Sequence, residues 1–140
     1  MQIEKWLPIR GYEGLYEVSN HGRVRSFDKI VHCRGWKTRR VKGKILHGTL
    51  NAYGYPAVNL YHTARQSKTH RIHRLVAQHF IPNPRNAPDI NHIDFDRTNA
   101  TASNLEWVFH IENIRHSRKF GRYKPGTNNP KGYNQYRGML

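Results

Sequence analysis

The chain has 140 residues, room for one compact domain or two small ones, and its 24 lysines and arginines against 9 acidic residues give a formal charge of +15. Such a charge calls for a polyanionic partner. A membrane is not the expected one: no long apolar run or useful basic amphipathic helix occurs, and the opening MQIEKWLPIR lacks the apolar core of a signal peptide. The single cysteine, Cys33, allows neither a disulfide framework nor a Cys-based zinc site within one chain. Only 36% of residues are hydrophobic, so small separate clusters are expected rather than one large core.

Residues 3–27 read as short strands around turns. Tyr16-Glu17-Val18 and Arg23-Val24-Arg25-Ser26 alternate, and Gly11, Gly14 and Asn20-His21-Gly22 are turn signals. Residues 28–47 are a basic run interrupted by Trp36 and Val41, suited to a phosphate-contacting strand or loop. Residues 44–73 look like a meander with strands at 44–46, 55–61 and 68–73. Pro56 must begin its strand or lie on an edge. HRLVAQHFI at 73–81 predicts a short helix with Leu75, Val76 and Phe80 inward, stopped by Pro82 and Pro84. His73 and His79 are expected to be structural or surface residues. Residues 82–88 form a linking loop. Residues 122–140 lack the makings of a core and read as an extended basic arm.

Between the loop and the arm, residues 89–117 concentrate Asn91, His92, Asp94, Asp96, Asn104, Glu112, Asn113 and His116. A strand should end at His92, and Leu105, Trp107 and Phe109 alternate as a second strand. Ser103-x-x-Glu106 also mimics a helix capping box, which would start a helix near Asn104 instead. Ile111, Ile114 and Arg115 fall at helical spacing, with Gly121 placed to stop the helix. Two strands and a crossing helix could bring Asn91 and Asn113 together. Two oxygen ligands, waters and a phosphate oxygen suit a hard divalent ion. An imidazole such as His92, with an ordinary pKa of about 6.5, can take a proton from water near neutrality.

The segment Asn91-His92-Ile93-Asp94, Asn104-Leu105-Glu106-Trp107, Glu112-Asn113 and His116 resembles the HNH nuclease motif with its ββα-metal fold, in the form found in phage homing endonucleases. Upstream, Trp6-Leu7-Pro8-Ile9-Arg10-Gly11-Tyr12-Glu13-Gly14-Leu15-Tyr16-Glu17-Val18-Ser19-Asn20 with Gly22-Arg23-Val24-Arg25-Ser26 is similar to the NUMOD4 module that often precedes such domains. The resemblance implies an α+β fold. Residues 1–50 would be a small antiparallel β module, 51–120 the HNH domain and 121–140 the arm. It implies hydrolysis of double-stranded DNA, nicking or cutting both strands, by a monomer or homodimer in the cytoplasm of a phage-infected or host bacterial cell. His92 would be the general base and Asn104 the brace that aims it. Asn91 and Asn113 would hold one Mg²⁺ or Mn²⁺, with His116 competing as the last ligand and no structural zinc. Asn91 departs from relatives with an acidic residue there, so Asp94, Asp96 or Glu112 could add charge. Arg23, Arg25, Arg39, Arg40, Arg97, Arg115 and Arg118 are the candidate DNA contacts. A DNA-binding module without activity and an RNA-binding protein or ribonuclease are the alternatives.

Overall fold

The computed structural model describes residues 2–63 and 65–122. The chain divides into two compact units, residues 1–108 and 109 onward. The expected basic arm lies, from residue 123 on, outside the described residues.

The first unit is a series of short antiparallel strands organised on one helix. β1 (Trp6–Pro8), β2 (Tyr16–Ser19), β3 (Val24–Ser26) and β6 (Ile45–Leu46) make a four-stranded sheet in that order. The turn between β2 and β3 is tied down by Ser19, whose Oγ accepts the N–H groups of His21 and Arg23. The basic run folds back on itself as a two-stranded ribbon, β4 (Lys29–His32) with β5 (Thr38–Val41). Gly43 lets the ribbon return: a Cβ there would collide with the Ser26 carbonyl oxygen and sit 2.8 Å from the Phe27 carbonyl carbon.

β7 (Thr49–Leu50), β8 (Pro56–Thr63) and β9 (Gln66–Arg71) form the meander, with β8 central. Pro56 is the first residue of β8, the position at which a central strand tolerates a missing N–H. The expected strand at 68–73 ends at Arg71, because α1 (Ile72–Phe80) begins one residue later. The apolar spacing of Ile72, Leu75 and Val76 claims residues 72 and 73 for the helix.

Among the described residues the separate clusters expected from the low apolar content give way to a shared one. One cluster joins Ile9, Tyr12, Tyr16, Val18 and Val24 of the N-terminal sheet, Val58 and Leu60 of β8, Ile72, Leu75 and Val76 of α1, and Ala100 and Leu105 further on. The reason is sharing: each layer supplies few apolar side chains, and α1 touches β2, β8, β9 and the later strands alike. Backbone contacts add to this. Ala102 N–H donates to the Asn20 carbonyl at 2.8 Å. Gly22 approaches Ala100 so closely that a Cβ would meet it at 3.1 Å.

After α1, Asn83 brackets the linking loop by donating to the Ala87 carbonyl and accepting the Ala87 N–H. The loop delivers β10 (Asp89–His92), which pairs antiparallel with β11 (Leu105–Val108). A single 3₁₀ turn, Ala102–Asn104, precedes β11, so the capping-box alternative at Ser103 gives way to the strand. Trp107 Nε1 donates to the Ile81 carbonyl at 3.1 Å and ties this hairpin to the end of α1.

In the second unit, α2 (His110–Lys119) starts at Phe109, whose N–H donates to Glu112 Oε2 at 2.8 Å, half of a capping box. Arg118 and Lys119 in its last turn suit the negative end of the helix dipole. Gly121, at φ 66°, follows its end.

Candidate active site

The hairpin β10–β11 sets Asn91 opposite Glu106 and His92 opposite Leu105. Asn91 is buried, and its Nδ2 donates to Glu106 Oε1 at 2.7 Å. That bond turns the amide nitrogen toward Glu106 and the carbonyl oxygen away from it. A carboxylate behind the amide raises the electron density on the oxygen.

The loop from His92 to Asn104 is folded around its own polar groups. Asn104 is 8% exposed. Its Oδ1 accepts the Asp94 N–H at 3.0 Å, while its Nδ2 donates to Asp94 Oδ1 and to the Asn99 carbonyl, each at 2.9 Å. Asn99 Nδ2 reaches the other Asp94 oxygen at 2.7 Å. Asp96 accepts from the N–H and hydroxyl of Thr98. The side chain of Asn99 and the Asp96 N–H hold Asp94 below the usual carboxylate range, and the Thr98 bonds do the same for Asp96. Both aspartates are thus committed to shaping the loop. The Ile93 N–H donates to the Asn104 carbonyl at 2.9 Å, and Phe95 N–H returns to the His92 carbonyl at 3.0 Å. Phe95 takes the left-handed conformation, φ 64°, in this turn.

His92, 5% exposed, packs its ring against two others. His73 meets it nearly edge to face, with centroids 5.0 Å apart, and Tyr55 lies tilted at 5.7 Å. Tyr55 also touches His73, at 4.7 Å. Burial pushes His92 below its ordinary 6.5; Asp94 and Asp96 push it back up, and Arg97 pushes it down. The ring is therefore neutral at pH 7 and retains a lone pair for a proton. Burial takes His73 further, down to about 3.

Two guanidinium groups flank Tyr55. Arg97 sits 5.3 Å from its ring centre and donates from Nη1 to the Tyr53 carbonyl at 2.8 Å. Arg71 lies 5.7 Å from the same ring and 6.0 Å from that of Tyr53. Such contacts hold a cation in place without neutralising it. Other candidate arginines have carboxylate partners: Arg23 with Glu4, Arg25 with Glu17 and Arg40 with Asp28. Arg23 and Arg25 also lie over the Trp6 ring. Arg39 projects from β5 and is exposed. Asn113, Arg115, His116 and Arg118 sit on α2, in the second unit. Glu112, offered as a source of charge, accepts the hydrogen bond that starts this helix.

Among the described residues no three His, Cys, Asp or Glu side chains converge as a metal cluster. The donor set at Asn91 still fits one kind of ion. A neutral oxygen backed by a carboxylate suits a hard divalent cation that keeps waters and takes oxygens from a substrate phosphate. His79, as expected, is structural: it accepts the Arg10 N–H and bonds the Leu75 carbonyl. His73 is different, because it lies against His92. Its position was readable from Val76 and Ala77, three and four residues on, which share its buried face. Arg71 and Tyr55 carried no comparable signal.

Residues 4–61 match the NUMOD4 motif. The DNA endonuclease I-HmuI of Bacillus phage SP01 is 32% identical over 117 residues, which are 84% of this chain and 59% of that protein. An uncharacterized HNH endonuclease, L247, of Acanthamoeba polyphaga mimivirus is 36% identical over 120 residues, 83% of this chain and 26% of that protein. The solved structure described as DNA binding and cleavage by the HNH homing endonuclease I-HmuI superposes with a TM-score of 0.67 at 31% identity, covering 86% of this chain and 61% of that one. The chain thus spans 59% or less of the length of these two curated relatives. The chain carries a NUMOD4 motif and is similar in sequence and fold to HNH homing endonucleases.

Proposed function

We propose that the chain is a metal-dependent endonuclease that hydrolyses phosphodiester bonds of double-stranded DNA. The observation that carries this reading is His92: an imidazole kept neutral by burial, at the end of a strand, followed by a loop that Asn104 pins at both ends. His92 takes a proton from a water at one of its ring nitrogens. The resulting hydroxide attacks phosphorus in line, the bond to the 3′ oxygen breaks, that oxygen takes a proton from solvent to become the 3′ hydroxyl, and a 5′ phosphate remains. Asn104 fixes the loop so that the ring stays aimed. Asn91 and Asn113 are the residues that would hold one Mg²⁺ or Mn²⁺, with His116 as the alternative to Asn113. When bound, that ion neutralises charge developing on the phosphate.

Arg71 and Arg97 lean over Tyr55, beside His92, and supply the cationic contact to the phosphate backbone there. The β4–β5 ribbon carries Arg39 and Arg40 and a fully exposed Trp36 at its turn. A two-stranded ribbon of this kind fits the major groove. Arg23 and Arg25 would contact phosphate from the N-terminal sheet, exchanging their carboxylate partners for it, and Arg115 and Arg118 of α2 are further candidate phosphate contacts. Residues 1–50 serve chiefly in DNA contact and 51–120 in cleavage.

The test is His92→Ala. Cleavage of duplex DNA should be abolished while its binding, read by gel shift, stays within about twofold of the parent chain. Near-normal cleavage by this variant would remove His92 from the chemistry. A parent chain that binds duplex DNA but never cleaves it would leave a binding module. Preference for structured RNA over duplex DNA in competition would point to the ribonuclease alternative.

A further inference from the structure

Two buried side-chain atoms among the described residues have no hydrogen-bond partner: Nδ1 of His73 and Nε2 of His92. They belong to neighbouring rings, 5.0 Å between centroids and 74° between planes. An unpartnered buried polar atom is costly, and most such atoms in folded proteins are paired. Two of them in adjacent rings have a shared solution. A neutral imidazole carries one N–H and one lone pair, so one ring can donate while the other accepts. A centroid separation of 5.0 Å is short enough for one nitrogen of each ring to come within the roughly 3 Å of a hydrogen bond once the rings rotate.

We propose that His73 is a positioning residue that fixes the tautomer of His92, with the Nε2–H of His92 donating to the lone pair of His73 Nδ1. The lone pair of His92 is then on Nδ1, the nitrogen left to meet the attacking water. When the water's proton moves to Nδ1, His92 becomes an imidazolium and its bond to His73 becomes charge-assisted, stronger than before. His73 does not take that proton onward. Burial keeps it neutral, so it acts as an acceptor only. The division of labour is that of a base and its orienting group, with a neutral ring in place of the usual carboxylate. Tyr55, packed on both rings, limits their rotation.

This inference rests on His92 being the base, and its test separates the two. The direct readout is ¹⁵N NMR of the full chain at neutral pH, which reports which nitrogen of His92 is protonated without any turnover. A protonated Nε2 and a bare Nδ1 are expected; the opposite tautomer overturns the proposal. Kinetics give the second readout. His73→Phe keeps a ring of similar size but offers no acceptor, and kcat should fall on the order of a hundredfold with KM within about twofold. His73→Asn, whose side-chain oxygen can stand where Nδ1 stood, should recover most of that loss. Equal kcat in a folded His73→Phe variant, with His92→Ala inactive beside it, would overturn the role of His73 alone. Normal cleavage by His92→Ala would instead overturn the reading beneath it.

Discussion

Replacing Asn104 by alanine removes three hydrogen bonds from one side chain. The Asp94 N–H loses its acceptor at 3.0 Å, and Asp94 Oδ1 and the Asn99 carbonyl lose a donor at 2.9 Å each. The two neutral bonds contribute about 1 kcal/mol each and the one to the carboxylate about 1.5–3 kcal/mol. Asn104 is 8% exposed, so water replaces these bonds only in part. The expected loss of folding stability is about 3 kcal/mol, read by urea unfolding at pH 7 as a lower midpoint with an unchanged slope. Asn104→Asp should be worse. It exchanges the donor facing Asp94 for a second carboxylate, which raises the pKa of the introduced group above its unfolded value of about 3.9. The extra penalty is therefore full at pH 7 and shrinks as pH falls through that raised pKa. An alanine variant within about 0.5 kcal/mol of the parent, or an aspartate variant as stable as alanine at pH 7, would refute the bracing role.

Three further outcomes are expected. His73 is pushed from 6.5 to about 3, chiefly by burial, so the stability tied to its neutral ring is complete above pH 6.5 and is lost as pH falls toward 3. Between pH 6.5 and 5 this amounts to about 2 kcal/mol, and His73→Phe should flatten the urea-derived profile over that window; parallel profiles would contradict it. Gly43→Ala should cost about 2–3 kcal/mol in thermal unfolding, because its Cβ meets backbone at Ser26 and Phe27. Gly35→Ala, with open space around it and only a φ of 77° to object, should cost about 1 kcal/mol. If Arg71 and Arg97 each hold a phosphate, the double alanine variant should bind all duplexes more weakly. Its slope of log K against log salt should be shallower by about 1.8 in anisotropy titrations, and an unchanged slope would exclude them.

The hairpin of the site was legible because its apolar residues keep a period of two at Leu105 and Trp107, and because polar loop residues separate the two strands. α1 was legible from its spacing and its closing prolines, with an error of one residue at each end. Within the loop the Asn104 side chain bonds Asp94 and the Asn99 carbonyl. Other features depend on contacts between distant segments. His73 and His92 are nineteen positions apart in sequence, and nothing local to either reveals that their rings meet. The partners of Arg23, Arg25 and Arg40 come from cross-strand and sheet-edge placements that charge counting does not resolve. The shared core escaped for the same reason: Tyr12, Leu60 and Leu105 each look like members of a small local cluster until α1 joins them.

The most direct test of the central claim uses supercoiled plasmids carrying fragments of phage DNA, incubated with the chain in Mg²⁺, in Mn²⁺ and in chelator. Metal-dependent conversion to open circles or linear molecules, absent in chelator and with His92→Ala, is the expected result; open circles indicate nicking and linear molecules paired cutting. Cleavage that persists with His92→Ala, or tight binding that leaves every plasmid supercoiled in both metals, would contradict it.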